Sequence, residues 1–323
     1  CCMTYLFVTD RKNQAKQAAY AAVERLKPEP TSLVEYQSRG HVVIIAATEA
    51  LELVGDLPQP LTSEVIEYQG LSPNQEITIE GALGQFLVNV SEQTIKADLI
   101  LDLTPKPLLS MSLKPPGYIR SRLDASEIQN AKIELQELVG TFEKPKYFDY
   151  NESLCAHGRS GKKGCTRCID ACPAEAMTSR VEKIQVDPFR CPGGGICTTV
   201  CPSSALTYAY PKPKDMLTHV RTLILTYCKE MGEGSIAAPD LVFVREEEQS
   251  RAEQILPAAL VITVEEVASV GPEVWLSALA WGARSVRLFN LDKMPDSAAQ
   301  ALDLHIEMAR SILAAMAYPE NCI

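Results

Sequence analysis

Cys155-Ala156-His157-Gly158-Arg159-Ser160-Gly161-Lys162-Lys163-Gly164-Cys165-Thr166-Arg167-Cys168-Ile169-Asp170-Ala171-Cys172-Pro173 is the stretch on which the reading of this chain turns. Its cysteines fall as Cys155-x9-Cys165-x2-Cys168-x3-Cys172-Pro173, and a second run follows as Cys191-x5-Cys197-x3-Cys201-Pro202. Shifting the first run by 29 residues lays Cys168 on Cys197, Cys172 on Cys201, Pro173 on Pro202 and Ala176 on Ala205. Such a register is an internal duplication, with one supersecondary unit used twice.

Each half resembles the bacterial Cys-x2-Cys-x2-Cys-x3-Cys-Pro run that ligates an iron–sulfur cluster. Two residues between cysteines let one tight loop direct thiolates at different irons and backbone N–H groups at the sulfides. The three-residue gap begins a helical turn that sends the last cysteine elsewhere. A zinc ribbon or knuckle also uses Cys-x2-Cys pairs, but the duplicated Cys-x3-Cys-Pro ending is foreign to it. Over residues 150 to 210 the chain is therefore similar to two-cluster ferredoxins, in which the fourth cysteine of each run crosses to the other cluster. That resemblance implies a first cluster on Cys155, Cys165, Cys168 and Cys201, and a second on Cys172, Cys191 and Cys197.

Two departures shape the expectation. Lys162 stands where a cysteine is expected three residues before Cys165, so Cys155 must reach across nine residues that include three glycines. In the second half the counterpart of Cys165 is Gly194, which offers no ligand. The expected cofactors are one 4Fe-4S cluster and one cluster that is either 3Fe-4S or a 4Fe-4S cluster incompletely ligated by cysteine. Cys228, in a helical pattern, is expected to be packed or free rather than a fourth ligand. His157 is expected to be a polar loop residue. Arg159, Lys162, Lys163 and Arg167 against Asp170 give the loop a local positive excess, readable as charge offset for a cluster or as a docking face.

Working outward, the 323-residue chain is of ordinary globular composition and long enough for two or three domains. Its formal net charge of −10 argues against a general nucleic-acid binder, and no apolar run is long enough to cross a membrane. Seven of the eleven cysteines crowd between Cys155 and Cys201, unlike a disulfide scaffold, so a reducing, cytoplasmic setting is expected. The fold class expected is α/β with an inserted two-cluster ferredoxin-like α+β module. The divisions are an N-terminal α/β domain over 1–112, a helical connector over 113–149, the cluster module over 150–212 and a C-terminal α/β domain over 213–323.

Within the first domain Tyr5 to Val8, Val42 to Ile45, Glu64 to Tyr68, Ile77 to Ile79, Gln85 to Val90 and Asp98 to Leu103 read as strands, and Asn13 to Leu26 as a helix. Pro115-Pro116-Gly117 marks a turn, and Asp124 with Glu127 a capping box, with Gly140 as the C′ residue. In the last domain helices are expected over 215–231, 273–281 and 297–317, and strands over 241–244, 260–264 and 285–289. Glu246 to Glu248 reads as a solvated acidic run, and Trp275 and Trp281 as core. No dinucleotide fingerprint, Walker motif, G-x-S-x-G or H-E-x-x-H occurs.

Beyond the cysteines, Asp98 to Leu103, Pro115 to Tyr118, Val139 to Phe148, Cys155-Ala156-His157 and the Trp275 to Gly282 helix resemble a family of bacterial iron–sulfur proteins often encoded with formate dehydrogenases. The resemblance implies electron transfer, with a redox protein such as a formate dehydrogenase as partner and no nucleic acid. Three readings follow: an electron carrier or redox subunit, a redox enzyme using the ligand-poor cluster, or a scaffold stapled by its clusters. The first is favoured over a self-contained enzyme.

Overall fold

A computed structural model describes residues 2–68, 77–158, 164–232, 238–289 and 294–323, with side chains from residue 10 onward. Arg159, Lys162 and Lys163 of the basic loop lie outside the described residues. The chain is mixed α/β with several small sheets.

In the N-terminal part, β2 (His41–Ala46), β3 (Thr62–Glu67), β7 (Leu99–Asp102) and β8 (Tyr118–Arg120) form a parallel sheet in the order β3-β2-β7-β8. Val42, Ile44, Leu99 and Leu101 pack on one face against α2 (Thr48–Val54) and α3 (Ala125–Glu137). Val43, Ile45 and Ile100 pack on the other against the antiparallel meander β4 (Ile77–Glu80), β5 (Phe86–Val90) and β6 (Gln93–Ala97). Coverage of both faces is why Val42 to Ile45 is an unbroken apolar run. Each of these side chains contributes about 1.5–3 kcal/mol by burial.

The carboxyl end of β7 organises the crossing to the cysteine region. Asp102, fully buried, accepts hydrogen bonds from Thr104 N at 2.9 Å, Leu108 N at 3.1 Å and the Tyr118 hydroxyl. The following segment reaches Pro173, whose carbonyl accepts from Leu113 N at 3.0 Å. Asp124 caps α3 by accepting from Ser126 N and Glu127 N, while Glu127 reaches Arg122 N at 3.0 Å rather than the cap residue. Gly140 is not the C′ residue: α3 ends at Leu138 as C-cap, and Gly140 opens β9 (Gly140–Pro145), which pairs antiparallel with β1 (Leu33–Ser38).

The cysteine region runs β10 (Phe148–Tyr150), α4 (Arg167–Ala171), β11 (Met177–Arg180), β12 (Lys183–Val186), α5 (Ile196–Thr199) and β13 (Leu206–Tyr208). β11 and β12 form a hairpin, and the first and last strands pair antiparallel. The C-terminal part is a parallel sheet in the order β15-β14-β16, from β14 (Asp240–Arg245), β15 (Leu260–Val264) and β16 (Ser285–Leu288). It is dressed by α6 (Pro213–Met231), α7 (Gln249–Ile255), α8 (Pro272–Ala280) and α9 (Asp296–Ala315).

Three local expectations are corrected. Tyr5 to Val8 is not a strand but the opening of α1 (Cys2–Val23), a helix that lies along α6. Its Ala15 and Ala19 share a core with Val220, Leu223 and Ile224, so this helix is made by tertiary packing that four apolar residues cannot announce. Glu248 is buried, turned inward by the 3-10 turn before α7, while Glu246 and Glu247 are exposed. The last helix, expected to run to residue 317, ends at Ala315 with Met316 as its C-cap and an exposed side chain, while Leu302, Ile306, Ala309 and Leu313 form its buried stripe.

Candidate metal centre

The nine-residue gap closes on itself. Gly164 N donates to His157 O at 2.6 Å and Cys165 N to Ala156 O at 3.2 Å, which brings Cys155 back beside Cys165. A Cβ on Gly158 would meet the Glu182 backbone at 2.2 Å, and one on Gly164 the Ala156 carbonyl oxygen at 2.5 Å, so the closure needs both glycines. His157, expected as a polar loop residue, lies in the loop and is fully buried: Nδ1 contacts Cys165 O at 2.8 Å and Nε2 contacts Ser179 Oγ at 2.7 Å. With both nitrogens engaged, it positions the loop.

The duplication extends further than the cysteines. Asn151 enters the first loop with its side chain accepting from Ser153 N at 3.1 Å, and Asp187 enters the second accepting from Phe189 N at 2.9 Å. Asn151 N bonds Ala205 O and Asp187 N bonds Ala176 O, so each half ties its entry to the strand that leaves the other half. These Asx turns precede Cys155 and Cys191 by the same three intervening residues, a signal that cysteine spacing alone did not reveal.

The seven cysteines sort into two groups. Cys155, Cys165 and Cys168 of the first run and Cys201 of the second line one cavity with about 310 Å³ of empty space. Burial, then the charges of Cys201, Cys165 and Cys155, push the Cys168 thiol up to about 12. Cys197 is likewise raised well above the thiol range, by burial and then by Cys191, Cys172 and Cys168. Cys172 thus stands with Cys191 and Cys197, across the repeat from its own run. Burial first, and neighbouring thiols second, raise Cys168, Cys191 and Cys197, so positive charge placed among them would favour their thiolates. Among the described residues no group of three or more His, Cys, Asp or Glu converges on a single metal ion.

Donors surround both groups. Leu206 N donates to Cys201 Sγ at 3.4 Å, and a backbone hydrogen bond from Gly193 reaches Cys191. The Tyr150 hydroxyl lies beside Cys155, within hydrogen-bonding reach of its sulfur. Lys144 Nζ donates to Cys191 O at 2.6 Å and Phe189 O at 3.2 Å; burial pulls its pKa down to about 8, opposed by the charge of Cys191.

The three glycines of the second loop have separate roles. Gly193 has φ +94° with the Tyr147 ring 2.9 Å from where a Cβ would stand, and Gly195 has φ +69° with Ser269 at 2.4 Å. Gly194, at the position of the missing ligand, is open: a Cβ there would meet only Leu113 at 3.9 Å and Pro173 at 4.0 Å. Cys228 stands apart from both groups, 4.0 Å from the Cβ position of Gly282, and Cys322 is buried in the C-terminal core.

The two sets of thiols, with the Tyr150 hydroxyl beside Cys155 and backbone N–H donors at Cys191 and Cys201, suit clusters with one thiolate per iron. Among the described residues no helix is long and apolar enough to cross a membrane. The chain matches no family model, and none of the curated proteins matches it.

Proposed function

We propose that this chain is an iron–sulfur electron-transfer protein, or the electron-transfer subunit of a larger oxidoreductase. It carries one 4Fe-4S cluster on Cys155, Cys165, Cys168 and Cys201. A second, 3Fe-4S or incompletely cysteine-ligated 4Fe-4S, is held by Cys172, Cys191 and Cys197. The observation that carries this reading is the exchange of last cysteines: Cys201 falls with the first run and Cys172 with the second. The strand–helix–strand, strand–helix–strand order over 148–208 supports the ferredoxin-like module. Cytoplasmic location and a redox protein partner, with a formate dehydrogenase as the partner the resemblance suggests, belong to the same proposal.

The clusters, when bound, supply one-electron chemistry. The chain's own residues set the terms. The Leu206 and Gly193 N–H groups place partial positive charge on thiolates, which favours the reduced state. Lys144 adds a full charge beside Cys191. The charge of Cys168 is among those that raise Cys197, so the two cysteine groups are neighbours.

Anaerobic iron and sulfide counts with electron paramagnetic resonance test the reading. Two clusters that reduce reversibly, one of them lost in Cys155→Ser, are expected. A three-iron second cluster adds a signal in the oxidised state that Gly194→Cys silences. Zinc without sulfide, or unchanged iron in Cys155→Ser, would overturn the proposed ligand set.

A further inference from the structure

The C-terminal sheet ends beside Gly194. The chain goes from β14 to β15 on one side and then crosses to β16 on the other, so the strand order reverses at β14. In open parallel sheets the crevice beyond the carboxyl ends at such a reversal is where ligands bind. Here it is lined by Arg245 at the end of β14, Glu266 after β15 and Phe289 after β16. Leu113, Pro173 and Gly194 close it from the cysteine side. The position from which the duplication has removed a thiolate therefore opens into this crevice.

We propose that the crevice binds a small carboxylic acid bearing a second donor atom, its carboxylate paired with Arg245 and its donor directed at the side of the second cluster left bare by Gly194. The inference rests on the two-cluster reading. Arg245 Nε lies 3.2 Å from Glu247, and Arg245 Nη1 lies 4.0 Å from Glu266. Glu247 is 60% exposed, and such pairs are weak and readily exchanged, whereas a two-pronged guanidinium–carboxylate pair in a half-buried wall is strong.

Mercaptoacetate, which joins a carboxylate to a thiol, is the probe. It is added to the full chain after anaerobic reconstitution, removal of free thiol, and iron and sulfide counting. At about 1 mM, a range suited to one ion pair and one donor contact, it should alter the paramagnetic resonance of one cluster only, with no loss of iron. Arg245→Gln should weaken the response roughly tenfold or more at unchanged iron content, a change of about 1.4 kcal/mol. Gly194→Cys should abolish it. Two assembled clusters with no response, an equal response in Arg245→Gln, or a change that tracks iron loss would each overturn the pocket alone. Fewer than two clusters by count would overturn the two-cluster reading and the pocket with it.

Discussion

His157 is held by two partners that themselves hold the first cysteine loop and the β11 strand. A carbonyl can only accept, so Nδ1–H donates to Cys165 O and Nε2 accepts from the Ser179 hydroxyl. Replacing it by alanine leaves a buried carbonyl and hydroxyl without their partner, at about 1–3 kcal/mol each for a group left unsatisfied. His157→Ala should therefore lower iron and sulfide content through loss of the first cluster while the second keeps its spectrum. Full iron content in that variant would mean that the Gly164 and Cys165 backbone bonds close the loop unaided. The sequence displayed the seven cysteines because loop spacing is written locally. It hid the roles of His157, Tyr150 and Lys144, because each depends on a partner supplied by a different strand or loop.

The ribbon of β1 and β9 shows the same limit among elements. β1 alternates, with Val34, Tyr36 and Ser38 inward, yet its apolar residues Leu33, Val34 and Tyr36 include an adjacent pair that blurs the period of two before folding. Its effect is chemical: Tyr36 bonds Phe189 O at 2.7 Å and lies under the Lys144 ammonium, 5.0 Å from ring centre to Nζ. Together they hold a cation beside Cys191. A fixed positive charge favours the reduced cluster, so removing it shifts the potential negative. Lys144→Met should move the second cluster by roughly −50 to −100 mV, or about 1–2 kcal/mol as expected for a unit charge at an effective dielectric constant near 20. Protein-film voltammetry should find the first cluster almost unmoved, and equal shifts in both would show that the charge acts from elsewhere. Helices α6, α8 and α9 were legible in the sequence to within two residues at each end, whereas α1 needed α6 to complete it.

Across the whole molecule the apolar packing divides where the chain order does not. Ile196, Val200 and Leu206 of the cysteine region share one core with Val267, Trp275 and Leu279 of the C-terminal layer and with Ala15 and Ala19 of α1. The N-terminal sheet keeps two cores of its own, on the two faces of β2 and β7. Alternating strand and helix signals gave both layers away in the sequence; the union of α1, the cysteine region and the last layer was invisible, because it joins residues two hundred positions apart. Metal binding to such a module is folding free energy, and it should be felt wherever its core continues. Stripping the clusters with an anaerobic chelator should lower amide-exchange protection in β14 and β15 by roughly tenfold or more, since those strands close the shared core. Protection at Val42 to Ile45 should change by less than about threefold, because that strand packs against residues outside the shared core. Equal loss in β2 and β14 would make the chain one cooperative unit, and no loss in either would leave the clusters without a part in the fold.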